Sequence, residues 1–127
     1  MANAPLRAVP AEVAAQVDGG LTIPNEVIAQ IVGFTVLECY GVVGMAATNL
    51  TQGVARLLSR ERITQGVSVR REGDALAIEL YVILEFGLNL AEVASNVRTR
   101  VIYNVEKMTR MTVGSVQIHV QGVKRTS

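Results

Sequence analysis

Glu79 and Glu85 stand on one side of the stretch AIELYVILEF, and a pair of carboxylates on a common face is the arrangement that cleaves glycosidic bonds. The alternation around them marks a strand, in which six residues at about 3.3 Å each put the two backbones ~20 Å apart. Glycosidase pairs sit ~5 to 9.5 Å apart, so geometry excludes that reading. His119 is the only histidine, and it lies on the polar side of a strand between Gln117 and Gln121. A zinc site draws three or four ligands from His, Cys and carboxylates, and with no second His and Cys39 as the only cysteine, an exposed histidine is the simpler reading.

Cys39 has no partner for an intramolecular disulfide, which fits a reducing compartment, and it reads as a small apolar filler on a buried helix face. Gly41-Val-Val-Gly44 has the GxxG spacing with which one class of domain clamps a nucleic-acid backbone. Its two inner valines replace the basic or small polar residues that this use needs, so the glycines read as turn punctuation. Arg56, Arg60, Arg62, Arg70 and Arg71 form the densest basic cluster, with Glu61, Glu72 and Asp74 interleaved. A solvated face is the plainer account, and contact with an anion, a lipid headgroup or RNA is the sharper one. No nucleophile elbow, P-loop, dinucleotide fingerprint or metal cluster is present. No catalytic, cofactor-binding or metal-ligating residue is therefore assigned, and no enzyme activity is expected.

The balance of charge agrees. Twelve Lys plus Arg against eleven Asp plus Glu leave a net charge of +1, too little for a general binder of phosphate backbones unless the charge is segregated. Half of the 127 residues are apolar but only Phe34, Phe86, Tyr40, Tyr81 and Tyr103 are aromatic, so the core must be aliphatic. A chain of this length suits one domain. The first twenty residues lack the pattern of a signal peptide, and the longest aliphatic or aromatic run, Leu80 to Leu84, is far short of a span of ~20. The expected location is the cytoplasm.

The elements that would position these side chains follow from hydrophobic period. Residues 1–19, rich in Ala with Pro5, Pro10 and Gly19, read as a mobile tail, residues 20–124 as the domain, and 125–127 as a second tail. Leu21 to Ile23 suits a short strand, and Pro24 opens a helix in which Val27, Ile28, Ile31, Val32, Phe34 and Leu37 crowd most of the surface, which implies deep packing. Gly33 in its middle points to a close approach by another backbone. Gly41 to Met45 reads as a turn and strand, residues 49–60 as a weak helix with Val54, Leu57 and Leu58 inward, and residues 66–71 with 75–86 as a hairpin about Gly73-Asp74.

Residues 89–110 show the clearest helical spacing, with Leu90, Val93, Ala94, Val97, Val101, Val105 and Met108 on one stripe. In VEKMTRMTVGSVQIHVQGV the period then changes from three or four to two, so this helix runs into a last strand over about 113–121. The order β-α-β-(α)-β-β-α-β predicts an α+β fold of two layers, a small mixed sheet with two main helices on one face. On the other face, Tyr81 and Ile83 would form a small apolar contact patch among polar neighbours.

Four segments carry a resemblance: IPNEVIAQIVGFTVLECYGVVGM (23–45), QGVSV (65–69), ALAIELYVILEFGLNLAEVASNVRTRV (75–101) and VEKMTRMTVGSVQIHVQGV (105–123). In order and spacing they resemble the alkaline-shock-protein family of mostly Gram-positive bacteria, including its YloU-like group; residues 46–64 match less well. The resemblance implies a non-enzymatic protein that associates with itself and is linked to cell-envelope or general stress. It also implies partners: a small membrane-anchoring protein that holds some members at the inner face of the membrane, and, for others, a functional link to a dihydroxyacetone-kinase-like fatty acid kinase. No catalytic residues are implied. The expected function is thus a self-associating scaffold or adaptor acting through protein contacts at the cytoplasmic side of the membrane. The alternative is a nucleic-acid or anion-binding module on the arginines from 56 to 71.

Overall fold

In the computed structural model, which describes residues 14–17, 21–47 and 56–126, Ala14–Val17 (β1) pairs antiparallel with Leu21–Pro24 (β2) as a separate two-stranded ribbon. Ala14–Val17 falls inside the stretch expected to be tail and is a strand instead; the remainder of 1–19 lies outside the described residues. Pro24, extended at φ −66° and ψ 153°, ends β2 and starts Asn25–Leu37 (α1). Ile28, Ala29, Val32 and Val36 of α1 are buried.

Val42–Met45 (β3) follows a turn, and the expected helix over 49–60 lies partly outside the described residues. From Arg56 to Ser59 the chain is not helical; Leu57 bridges to Ala46, and Arg60–Gly66 forms a 3₁₀ helix. Gly33 does mark a close approach, but by a side chain: a Cβ there would lie 2.8 Å from Ile63 Cδ1 of the 3₁₀ helix. Val67–Glu72 (β4) and Ala75–Glu85 (β5) form the predicted hairpin, with Gly73 at φ 63° in the turn, a conformation that glycine adopts without steric cost.

Leu90–Thr109 (α2) is capped by Asn89, whose side-chain oxygen accepts the Glu92 N–H at 3.1 Å. Arg110, at φ 62°, turns the chain from α2 into Thr112–Lys124 (β6). The change of period in the sequence is this two-residue join.

β5 is the centre of the main sheet. Its N-terminal half pairs with β4 and its C-terminal half with β3, both antiparallel, while β6 runs parallel along its other edge. β6 contains one extra residue at Gly114 and another at Gln121, and these bulges bring Val113, Val116, Ile118, Val120 and Val123 opposite Leu76, Ile78, Leu80, Val82 and Leu84. Simple alternation would have turned Val113 and Val123 to the other face. All five partners on β5 are buried.

The fold is the expected α+β arrangement. α1 packs over β3 and β4, α2 over β6, and the two helices contact each other on the same side of the sheet. Ile28, Val32 and Val36 meet Val97, Val101 and Val105 over the β5 side chains to make one aliphatic core.

Candidate functional site

On the side of the sheet away from the helices, strand register brings four chemically distinct side chains together. Tyr81 pairs with His119 across β5 and β6, so their rings stack at 4.6 Å between centroids with 11° between planes. Two residues back on β5, Glu79 accepts the Tyr81 hydroxyl at 3.1 Å, lies 3.1 Å from His119 Nε2, and meets Arg70 of β4 at 3.5 Å. The Tyr81 hydrogen bond first, and the His119 contact second, hold the Glu79 carboxyl below its usual range. Partial desolvation, followed by the bond to Glu79, pushes the Tyr81 phenol up.

This is a stabilised carboxylate on an open strand surface, satisfied by its neighbours. Glu85 is held separately, by the Thr126 hydroxyl at 3.0 Å. Among the described residues no three His, Cys, Asp or Glu side chains group as metal ligands would.

The other sequence-predicted residues scatter. Ile83 is only 5 % exposed: it lies across from Gly44, and Leu57 fills the space where a Gly44 side chain would be. The expected Tyr81–Ile83 patch is therefore reduced to Tyr81, joined by His119. Arg60 lies over the ring of Phe34 on α1, Arg62 reaches Gln65, and Arg70 joins Glu72 and Glu79 on the far side of the sheet. Arg71 is exposed on β4 and by alternation takes the side opposite Arg70, and Arg56 is exposed ahead of the 3₁₀ helix. The basic cluster is contiguous in sequence and divided in space. Cys39 is buried, donates to the Thr35 carbonyl at 3.4 Å, and has its thiol pushed up mainly by burial, the opposite of an activated nucleophile.

The surface that sequence reasoning missed lies between the helices. Val27, Ile31 and Phe34 of α1 and Met108 of α2 line an open groove of about 380 Å³, with Glu38 at its rim and the Asn104–Thr35 hydrogen bond, 2.9 Å, at its floor. Phe34 is 46 % and Met108 63 % exposed, and Val27 is exposed beside them. Val27, Ile31 and Phe34, read as deeply packed, thus form a partly exposed apolar stripe at the i, i+4, i+7 spacing of a helix face. The available signal was the excess: α1 carries more apolar residues than one buried face can use. A smaller depression of about 200 Å³ lies by Tyr40, Leu88 and Glu92. Each concavity holds one carboxylate, and in neither do ionisable groups converge.

Comparison with known proteins places these features in context. The profile of the alkaline shock protein 23 family, described as having a cell envelope-related function, matches residues 13–125. YloU, an uncharacterised protein of Bacillus subtilis, is 43 % identical over 110 residues, covering 86 % of this chain and 92 % of that protein. An uncharacterised protein of Streptococcus pyogenes is 32 % identical over 108 residues, 84 % of this chain and 89 % of that one. A gls24 homologue of Streptococcus pyogenes, named as a stress response regulator, is 24 % identical over 106 residues, covering 84 % of this chain and 59 % of its own length. A solved variant of MamM CTD superposes with a TM-score of 0.49 at 11 % identity, over 79 % of this chain and 94 % of that one. Among the described residues no helix is long and apolar enough to cross a membrane.

Proposed function

The chain belongs to the alkaline shock protein 23 family, whose function is cell envelope-related, and from that premise we propose that it is a non-enzymatic, self-associating scaffold or adaptor. It works through protein contacts at the cytoplasmic side of the membrane. One observation carries this reading: Phe34 and Met108, two large apolar side chains left outside the core, and Val27 beside them line a groove between two helices. Exposed apolar surface of this kind marks sites of association. A groove walled by parallel ridges of side chains accepts an amphipathic helix, and we assign it a helix of a protein partner at the envelope. A small membrane-anchoring protein fits that description, and the dihydroxyacetone-kinase-like fatty acid kinase is a second partner to test.

The test is co-sedimentation of the purified chain with native membranes, before and after protease treatment of those membranes. The expected result is binding that is lost on protease treatment and lost in a folded Phe34→Asp variant. Binding that survives either change would remove the assignment. The alternative, an anion or nucleic-acid module on Arg56, Arg60, Arg62, Arg70 and Arg71, has less support, because Arg60 sits against a helix and Arg70 is ion-paired on the opposite side of the sheet.

A further inference from the structure

The main sheet has three outer edges, and they are not equally protected. β3 is covered by the chain beyond it, through the Ala46–Leu57 bridge and the Leu58 N–H bond to Met45 O at 2.8 Å. On β4, the Val69 carbonyl accepts from Asn25 of α1 at 3.3 Å, and the strand carries the charged residues Arg70, Arg71 and Glu72. On β6, α2 reaches over the edge at two points only: Glu106 accepts the Val113 N–H at 2.8 Å, and Arg98 Nε donates to the Val116 carbonyl at 3.2 Å. Beyond Val116 no side chain among the described residues caps that edge. Residues 112–123 contain no Lys, Arg, Asp, Glu or Pro, the residues with which edge strands usually discourage pairing.

We propose that this edge pairs with the β6 edge of a second copy, antiparallel, about a two-fold axis through Ile118. The inference rests on the self-association reading above and names its surface. Because backbone groups alternate sides along a strand, the outward carbonyl of Val116 places the free groups of Ile118 and Val120 on the same edge. Pairing about Ile118 sets Val116 against Val120, Gln117 against His119 and Ser115 against Gln121, apolar on apolar and polar on polar, along the regular run between the two bulges. The Val116 carbonyl has a second lone pair, so it can keep Arg98 and still accept.

Coverage by helix is complementary in the same register. α2 crosses the sheet diagonally: Val93 near its start packs against Gly41 ahead of β3, while Arg98 and Glu106 further along overhang β6. The first half of β6 is therefore covered, and the second half is open, with Val120 39 % and Val123 47 % exposed on the helix side. The antiparallel pairing sets the open half of each copy beside the overhanging end of the other copy's α2.

The experiment uses the full chain. Light scattering behind a sizing column at tens of micromolar should give the mass of a dimer, and Val120→Pro should halve it with the far-UV circular dichroism unchanged. That proline removes only an outward N–H, which an edge strand tolerates. Independently, a mixture of Gln117→Cys and His119→Cys chains should form a mixed disulfide on mild oxidation, since the proposed pair has the ~4.5 Å Cα separation of a non-hydrogen-bonded pair. Neither chain alone should cross-link comparably. A monomeric wild type, a folded Val120→Pro dimer, or absence of the mixed disulfide would overturn the proposal; if Val120→Pro does not fold, the cysteine pair decides. Loss of the dimer in Phe34→Asp with no effect of Val120→Pro would remove the edge while leaving a groove-based scaffold standing.

Discussion

Tyr81 and His119 stack because strand pairing sets them side by side on β5 and β6, 4.6 Å between ring centroids, and both rings reach Glu79 on the same surface. The cluster ties the two strands of the parallel pair together on the side away from α1 and α2. Its polar members satisfy one another, so it is a stabilising feature of the sheet that also presents two flat rings to solvent.

Glu79 gives this cluster an acid limit. Its folded carboxyl is held below the unfolded value, so its contribution is present above the unfolded pKa of about 4.3 and is lost as pH falls through the folded value. Urea denaturation from neutral pH down to pH 3 should show Glu79→Gln less stable at neutral pH, and the difference from wild type should shrink in acid. A constant difference across the range would show that the carboxylate charge plays no part.

Tyr81 sets the opposite limit. Its phenol is raised, so its contribution is complete below the unfolded pKa of about 10 and is lost as pH rises through the folded value. Tyr81→Phe keeps a ring to stack on His119 and removes the ionisation. In alkaline denaturation profiles its loss of stability should begin at higher pH than that of the wild type.

Gly33 is a packing position. Ala restores about 1 kcal/mol of helix propensity but pushes against the movable end of Ile63, 2.8 Å away. Gly33→Ala should therefore change stability little, whereas Gly33→Val should cost about 1–3 kcal/mol through overpacking. Combining Gly33→Val with Ile63→Ala should recover part of that loss in a double-mutant cycle.

Met108 shares the apolar stripe of α2 by period, yet it is 63 % exposed, whereas Leu80 of β5 is fully buried. Leu80→Ala should cost about 2–5 kcal/mol by leaving a cavity. Met108→Ser should stay within about 0.5 kcal/mol, as surface changes do, while weakening membrane co-sedimentation. Chemical denaturation of the two variants separates them.

Asn89 caps α2 through the Glu92 N–H. Asn89→Ala should lower stability by about 1 kcal/mol, with faster amide exchange confined to the first turn of α2. Asn89→Asp should recover most of the loss, because a carboxylate caps as well and suits the positive end of the helix.

How far the sequence could be read varied with the kind of residue. α2 was legible because its buried positions, Val93, Val97, Val101 and Val105, recur every four residues; Met108 was misassigned because the same row continues to Thr109. β6 was found but read short, since the bulges at Gly114 and Gln121 break the alternation that defines its ends. α1 was placed correctly and its exposure was not. An apolar residue scores alike whether it faces the core, as Val32 does, or a groove, as Phe34 does.

By itself, the sequence determined the element order, the two-layer class and the aliphatic core, because period and turn chemistry are properties of a few neighbouring residues. Only the tertiary structure decided that Leu57 packs at Gly44, across from the buried Ile83, that the arginines divide between two sides, that α1 and α2 leave a groove, and that the β6 edge beyond Val116 is uncapped among the described residues. Each of these depends on what a distant segment places against a residue, and local period carries no record of that.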